Sequence, residues 1–394
     1  MLLEAPPLAL YAHMPWCVRK CPYCDFNSHV APEALPQKNY VDALLEDLEH
    51  DLPLAGGRTL TSIFFGGGTP SLFSPEEIGR FLQGVRARIA CAPDIEVTLE
   101  ANPGTIEHGR FSGYRDAGVT RVSLGAQTFN DRHLKVLGRI HGGNDIQRAV
   151  EELGRAGIEN FNLDLMYALP EQTREQALAD VRTAVALAPT HLSHYQLTLE
   201  PGTVFYHRPP PLPDPDQAWD MQLECQELLD RHGYGHYEVS AYAQAGRRCR
   251  HNLNYWEFGD YFGLGAGAHG KLTRTDEGGG VIRTTRCRQP RDYLSRAVPD
   301  RLIEQRPVPV DELPFENMLN VLRLKEGFEL AQFEARTGLP RSALDAGLAA
   351  AQAKGLLVRQ DQHWQPSELG WRFLNDLQAL FLVGSPSARV NASA

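Results

Sequence analysis

The chain is short of positive charge: 39 Lys and Arg stand against 49 Asp and Glu, a net of -10. Excess acid repels phosphate backbones, so nucleic-acid binding is excluded as a role for the chain as a whole. Long hydrophobic runs are also missing. No uncharged apolar stretch approaches the roughly 18 residues of a membrane span. No basic segment precedes an apolar core near the start, so a signal peptide is not expected either. The expected location is the cytoplasm. Cysteine is scarce, with seven in 394 residues. An odd number with three clustered does not suit a disulfide framework; it suits metal binding in a reducing compartment. Cys91, Cys225, Cys249 and Cys287 are scattered and read mostly as small buried hydrophobes. What the chain does have is a hydrophobic content of 42%, enough for a sizeable core. Its length suits one large domain plus one small one.

Residues 8–26 organise the rest. An apolar, strand-like run ends in a loop carrying Cys17, Cys21 and Cys24, spaced C-x3-C-x2-C. Three thiolates on one loop can hold three irons of a [4Fe–4S] cluster and leave the fourth iron open to a ligand. A zinc knuckle is the alternative, and it needs a fourth ligand such as His13, Asp25 or His29. No second Cys pair lies nearby, and a loop that follows a strand suits a site at the mouth of a barrel.

Residues 8–14, 61–65, 95–99, 121–125, 160–166 and 191–197 read as strands. Helical segments fall among them. Residues 39–52 carry apolar side chains at helical spacing, Ser74-Pro75-Glu76-Glu77 opens a helix, residues 145–155 stop at Gly157, and Thr173 with Gln176 forms a capping box. Asp214 to Gln217 starts another helix that runs to about residue 231. This alternation predicts a parallel sheet with covering helices. The cysteine loop, Gly66-Gly67-Gly68, Glu100, Gln127, Asp164 and Thr198 all fall at or near C-terminal strand ends. In a βα barrel that rim carries the chemistry. The expected architecture is therefore α/β, a partial six-unit (β/α) barrel over residues 1–300. The glycine run could bring backbone close to a ligand, and the stretch from Gly263 to His269 reads equally as a tight turn or a second ligand-contacting wall.

Near residues 299–314 the composition turns Pro-rich and polar, which reads as a connection. Beyond it, helices are expected at residues 312–324, from Leu330 and at residues 343–354, with a small hairpin at residues 356–364. This is the pattern of a winged-helix-like, mainly helical module over residues 301–383. From residue 311 to 376 there are 7 Lys and Arg and 10 Asp and Glu, a net of -3, which disfavours phosphate binding. The module is expected to cover the barrel or dock a partner. Residues 384–394 are small and polar and are expected to fray.

Several motifs together carry a family resemblance. They are His13-Met14-Pro15-Trp16-Cys17, Gly66-Gly67-Gly68-Thr69-Pro70, Glu100-Ala101-Asn102-Pro103, Ser123-Leu124-Gly125-Ala126-Gln127-Thr128-Phe129, Arg139-Ile140-His141 and Asp164-Leu165-Met166-Tyr167-Ala168-Leu169-Pro170. The chain resembles the oxygen-independent coproporphyrinogen III oxidase-like branch of the radical S-adenosylmethionine (SAM) proteins. The resemblance implies that Cys17, Cys21 and Cys24 bind a [4Fe–4S] cluster. It implies that Tyr11, Tyr23, Gly67, Gly68, Thr69, Glu100, Gln127, Arg139 and Asp164 bind SAM. Carboxylates accept hydrogen bonds from an ammonium or ribose hydroxyls, and an arginine can clamp a carboxylate. Mutual ion pairing among Glu100, Arg139 and Asp164 is the structural alternative.

Within this branch two readings compete. The oxidase carries a fourth cysteine two residues after the third and a longer N-terminal segment; here Phe26 stands at that position and 16 residues precede Cys17. Residues 24–28 and His251-Asn252-Leu253-Asn254-Tyr255-Trp256 instead resemble the HemW-type haem chaperones, in which the latter stretch is associated with haem. His251 could ligate iron, Tyr255 and Trp256 could face a macrocycle, and Arg247, Arg248 and Arg250 could reach propionates. Cys249 is a second candidate ligand. The bland alternative is a surface turn with a packed Trp–Tyr pair and solvated arginines. The chaperone reading implies transfer of haem to acceptor proteins, among them respiratory enzymes at the membrane, and leaves a homodimer open. The oxidase reading implies radical decarboxylation in porphyrin biosynthesis.

Overall fold

The computed structural model describes residues 3–104, 110–276 and 279–382. The stretch expected to fray, residues 384–394, lies outside them. Six parallel strands form the centre: β1 (Leu8–Met14), β2 (Leu60–Gly67), β3 (Cys91–Ala101), β4 (Arg121–Gln127), β5 (Phe161–Tyr167) and β6 (His191–Gln196). They pair in chain order, each with the next. This is the expected six-unit α/β barrel.

The helices between them start and stop where local chemistry dictates. They are α1 (Gln37–Asp51), α2 (Pro75–Arg88), α3 (Phe111–Ala117), α4 (Asp131–Val136), α5 (Gly143–Ala156) and α6 (Arg174–Ala186). Ser74 accepts the backbone N–H of Glu77 at the start of α2, and Thr173 with Gln176 closes a capping box on α6. Gly157 ends α5 with φ 74°, a left-handed cap that glycine adopts at no steric cost.

Beyond β6 lie α7 (Val204–His207) and α8 (Pro215–Arg231), which Asp214 caps. Then come β7 (Gly235–Glu238), β8 (Ala241–Ala243), α9 (Arg250–Trp256), β9 (Asp260–Leu264), β10 (His269–Arg274) and β11 (Gly280–Arg286). After α10 (Pro290–Ser295) and α11 (Val298–Arg301), β12 (Leu302–Pro307) completes the sheet. The strand order is β12-β11-β10-β9-β1-β2-β3-β4-β5-β6-β8-β7, with β9 parallel to β1. Two expectations are corrected here. Part of the Pro-rich connection at residues 299–314 is β12, paired antiparallel with β11, so the sheet runs past the expected boundary at residue 300. The supposed loop at residues 247–256 is largely α9.

Strand alternation sorts the core. Ile63, Phe65, Val97, Leu99, Val122, Leu124, Leu163, Leu165 and Leu192 belong to the apolar core that also includes helix residues such as Leu44, Phe81 and Leu153. The alternate positions carry Ser62, Glu96, Glu100, Arg121, Ser123, Asn162, Asp164, His191 and Ser193, which share the other face and give a polar barrel interior.

The C-terminal module holds α12 (Leu313–Val321), β13 (Phe328–Glu329), α13 (Leu330–Thr337), α14 (Asp345–Ala353), and a hairpin of β14 (Leu357–Gln360) and β15 (His363–Pro366). Its core of Met318, Leu322, Phe333, Leu348, Trp364 and Phe381 is separate from that of the barrel. The module covers the barrel beside α9. Arg248 pairs with Glu326, Arg323 with Glu238, and Arg283 with Glu316.

Candidate functional site

The cysteine loop leaves β1 and doubles back on itself. Trp16–Cys17 pairs with His29–Val30, and Ala31 N–H donates to Cys17 O at 2.9 Å. The glycine run holds the loop from one side. Gly68 and Thr69 donate their backbone N–H to Met14 O and Trp16 O at 2.7 and 2.8 Å. A Cβ on Gly68 would lie 2.6 Å from Trp16 O, and one on Gly67, at φ 109°, would strike the His13 ring. These glycines therefore let backbone approach backbone as well as a ligand. The stretch from Gly263 to His269 braces the loop from behind. Asn27 Nδ2 donates to Ala266 O and Arg288 O, both at 2.9 Å, and a Cβ on Gly267 would collide with Asn27. It is a turn behind the loop and does not line the cleft.

A cleft of about 350 Å³, of small-molecule size, opens at the C-terminal strand ends. Cys17, Cys21, Cys24, Tyr23, Gly67, Gly68, Thr69, Glu100, Gln127, Arg139 and Asp164 all line it. Thr198, singled out on the rim, lines it as well. The structure thus brings these sequence-named residues together around one cleft.

All three thiols are free. Arg139 Nη1 lies 3.7 Å from Cys21 Sγ, and Ser28 Oγ 3.9 Å from Cys24 Sγ. Burial raises the pKa of Cys17 and Cys24, which favours neutral thiols, so iron must displace protons to bind. The zinc alternative fares worse. Among the described residues no three His, Cys, Asp or Glu side chains converge on one point as a single ion requires, and His13 is engaged by Tyr11 and Asn27 O. Thiolates on separate irons need no such convergence.

Arg139 does not pair with Glu100 or Asp164. Its Nη2 donates to Asn102 Oδ1 and, at 2.7 Å, to Gly125 O. Asn102 Nδ2 in turn donates to Thr69 Oγ1 at 2.9 Å. The ion-pair alternative for the three charged groups is thereby set aside. Glu100 accepts the Gly67 N–H at 3.2 Å, and burial followed by the nearby Asp164 pushes its pKa up to about 8. Burial also raises Asp164, against hydrogen bonds from Asn162, Ser193 and Ser123. The two carboxylates form no ion pair among the described residues, and the buried Arg121 at the start of β4 lowers both pKa values without offsetting burial, so a cationic ligand would stabilise the site. Gln127 closes β4 at φ 67°, a left-handed conformation that side chains rarely adopt, beside Arg139 and Asn102.

Tyr11 and His251 are not brought to the cleft. Tyr11 lies inside the barrel, its hydroxyl 3.0 Å from His13 Nδ1 and its ring 6.5 Å from that of His251. His251 is 1% exposed. Its Nδ1 meets Ser62 Oγ at 2.9 Å and its Nε2 meets Tyr255 OH at 2.8 Å. Burial holds its pKa down to about 3. Both ring nitrogens are occupied, which corrects the expectation that His251 stands ready as a haem ligand. Cys249 is no better placed: its buried thiol, pushed up to about 12, donates to Glu96 Oε1 at 3.5 Å. Arg250 pairs with Asp94 and Arg248 with Glu326. The physical reason is that α9 needs acceptors for its first amides, and Glu96 supplies them to Arg250 and His251 at 3.2 Å.

Asn102, Ser123, Tyr195 and Leu197 also line the cleft and went unassigned. Ser123 and Tyr195 sit an even number of residues from Gly125 and Ser193 on their strands, so strand period was the available signal.

Comparison with known proteins then decides the family. Residues 11–184 match the radical SAM superfamily and residues 308–373 the HemN C-terminal domain. The chain is 49% identical to heme chaperone HemW of Escherichia coli over 97% of this chain and 100% of that protein. The chain belongs to the HemW family. It is also 48% identical to heme chaperone HemW of Haemophilus influenzae over 96% of this chain and 99% of the relative. The solved coproporphyrinogen III oxidase of Escherichia coli superposes with a TM-score of 0.80 at 22% identity, over 96% of this chain and 90% of that one, which shows a shared fold. Family membership implies a [4Fe–4S] cluster and SAM, and the donor set of the cleft fits both. Where that oxidase branch was expected to carry a fourth cysteine, Phe26 lines the cleft and is 60% exposed. Among the described residues no helix is long and apolar enough to cross a membrane.

Proposed function

We propose that the chain is a haem chaperone, acting in the cytoplasm, that binds a [4Fe–4S] cluster, SAM and haem and passes haem to acceptor proteins. In this reading Cys17, Cys21 and Cys24 hold the cluster. Gly67, Gly68, Thr69, Glu100, Gln127, Arg139, Asp164 and Tyr23 bind and orient SAM. The cluster, when bound, supplies an open iron for the methionyl amine and carboxylate. Glu100 and Asp164 accept from the ammonium or ribose hydroxyls, and Gly67 and Gly68 let backbone come near the ligand. The barrel and the C-terminal module stand as two units, with the boundary moved past Pro307.

The observation that carries the reading is the donor set of the cleft: three free thiols, two buried carboxylates without an ion pair and Phe26 in place of a fourth thiol. The haem ligand is not assigned to His251, because both its nitrogens are taken within the fold. The test is anaerobic reconstitution of the cluster, followed by parallel titration with haem and incubation with coproporphyrinogen III, SAM and reductant. The expected result is a stoichiometric haem Soret band and no protoporphyrinogen. Turnover of coproporphyrinogen would replace the chaperone reading with the oxidase.

A further inference from the structure

Inside the barrel, one line of hydrogen bonds joins α9 to the cleft, and the Asp164 carboxylate at its cleft end sets its direction. The backbone N–H of Cys249 can only donate, and it reaches the Tyr237 hydroxyl at 3.4 Å. That hydroxyl donates onward to Nε2 of His191 at 2.8 Å. His191 is fully buried, and burial holds its pKa well below the ordinary value, so the ring is neutral and carries one proton. With Nε2 accepting, the proton sits on Nδ1, which donates to Asn162 Oδ1 at 2.6 Å. Asn162 Nδ2 then donates to Asp164 Oδ1 and to Ser123 Oγ, both at 2.8 Å. Ser123 donates to the other Asp164 oxygen at 3.1 Å. The carboxylate turns the Asn162 amide nitrogen toward itself, which leaves Oδ1 to accept from His191 Nδ1 and Nε2 to accept from Tyr237.

Strand register explains the assembly. His191 stands opposite Asn162, Ser193 opposite Asp164, and Ser123 opposite Asn162. These positions alternate along three adjacent strands, so all five side chains share the barrel interior. Tyr237, on β7, reaches His191 across 46 residues of sequence.

We propose that Asn162, His191 and Tyr237 are positioning residues for Asp164 that tie its carboxylate to the entrance of α9. This rests on the reading of Asp164 as a SAM contact. Removing the Tyr237 hydroxyl takes away the donor that holds Nε2 as an acceptor. Asp164 alone then keeps the His191 tautomer and the Asn162 orientation, and the carboxylate is held less firmly.

The experiment uses the full chain in Tyr237→Phe, His191→Leu, His191→Gln and Asp164→Asn forms. Tyr237→Phe and His191→Leu should weaken SAM binding about five- to tenfold, the size of one neutral hydrogen bond, with iron content unchanged. His191→Gln, which can both accept and donate, should recover most of that loss. Nitrogen-15 NMR of the cluster-free protein should show His191 as the Nδ1–H tautomer in wild type and a smaller share of that form in Tyr237→Phe. An Nε2–H tautomer in wild type overturns the proposal. So does wild-type SAM affinity in Tyr237→Phe when Asp164→Asn binds weakly. If Asp164→Asn itself binds SAM normally, the SAM reading of Asp164 fails instead, and the tautomer measurement still judges the hydrogen-bond line. Should His191→Leu fail to fold, Tyr237→Phe, which loses a single oxygen, decides alone.

Discussion

Asp164 stands near the C-terminal ends of the barrel strands, and His251 lies against their N-terminal halves, beside Ser62 and Glu96. Both are polar groups of one interior, yet they differ in what completes them. His251 finds an acceptor or donor for each ring nitrogen and for its amide within the chain. Asp164 and Glu100 face a cleft and each other, and the buried Arg121, which forms no ion pair with either, does not offset the cost of their burial. Burial shifts all three groups, so burial alone does not separate structure from function. What separates them is whether the fold supplies the counterpart. A group satisfied inside the protein holds the fold, whereas a group left with a like-charged neighbour awaits a ligand.

The largest effect is expected where the ligand set itself is cut. Cys17→Ala, Cys21→Ala and Cys24→Ala should each abolish the brown chromophore after anaerobic reconstitution, while Cys91→Ala, Cys225→Ala and Cys287→Ala keep it. Zinc without iron in protein prepared free of oxygen would contradict the cluster assignment.

At the satisfied end, Glu96→Ala should cost on the order of 3 kcal/mol in thermal or denaturant unfolding, because it orphans a buried amide, a part-buried amide and a buried thiol. SAM affinity should fall little. A stable Glu96→Ala protein that had lost SAM binding would invert the contrast between the two ends.

Asp164→Asn and Arg139→Ala should do the reverse, weakening SAM binding by about 1–3 kcal/mol, the worth of a charged hydrogen bond, with little change in melting. Calorimetry under anaerobic conditions reads the first and a melting curve the second.

A further effect is in pH, and its sign differs between the ends. Glu100 is raised to about 8 in the fold, so between its unfolded pKa, roughly 4.3, and 8 the native state binds more protons. Its contribution to stability is lost as pH rises through that window, and Glu100→Gln should flatten the decline. His251 is lowered to about 3, so the unfolded state binds more protons between 3 and roughly 6.5. Its contribution is lost as pH falls, and Tyr255→Phe, which removes the hydroxyl at Nε2, should change that slope while leaving the Glu100 limb alone. Unfolding curves of the cluster-free protein across pH 4 to 8 would separate the two.

Much of this was legible in the sequence because it is local. The C-x3-C-x2-C spacing, the caps at Ser74, Thr173 and Asp214, and the left-handed stop at Gly157 each depend on a few neighbouring residues. The six parallel strands were readable because β1 to β6 pair in chain order. Strands β7 to β12 escaped notice because they are short or antiparallel additions outside the repeating unit. Residues 302–307 read as a connection since their side chains are mostly exposed, an edge strand without an apolar face. Asn102 was quoted in a motif, but its bond to Arg139 joins residues 37 apart and could not be inferred from spacing.

By itself the sequence determined which residues share a barrel face, since strand period places every second side chain on the same side. It thereby put two carboxylates, Glu100 and Asp164, at the rim where the cysteine loop leaves β1, while Arg139 came only with the family resemblance. Tertiary structure alone decided which end of that polar interior stays open. His251 was closed off by Glu96, 155 residues distant, and by Ser62, 189 residues distant. Periodicity reports the direction of a side chain but not the element that later covers it, and a polar group becomes a site only where no such element arrives.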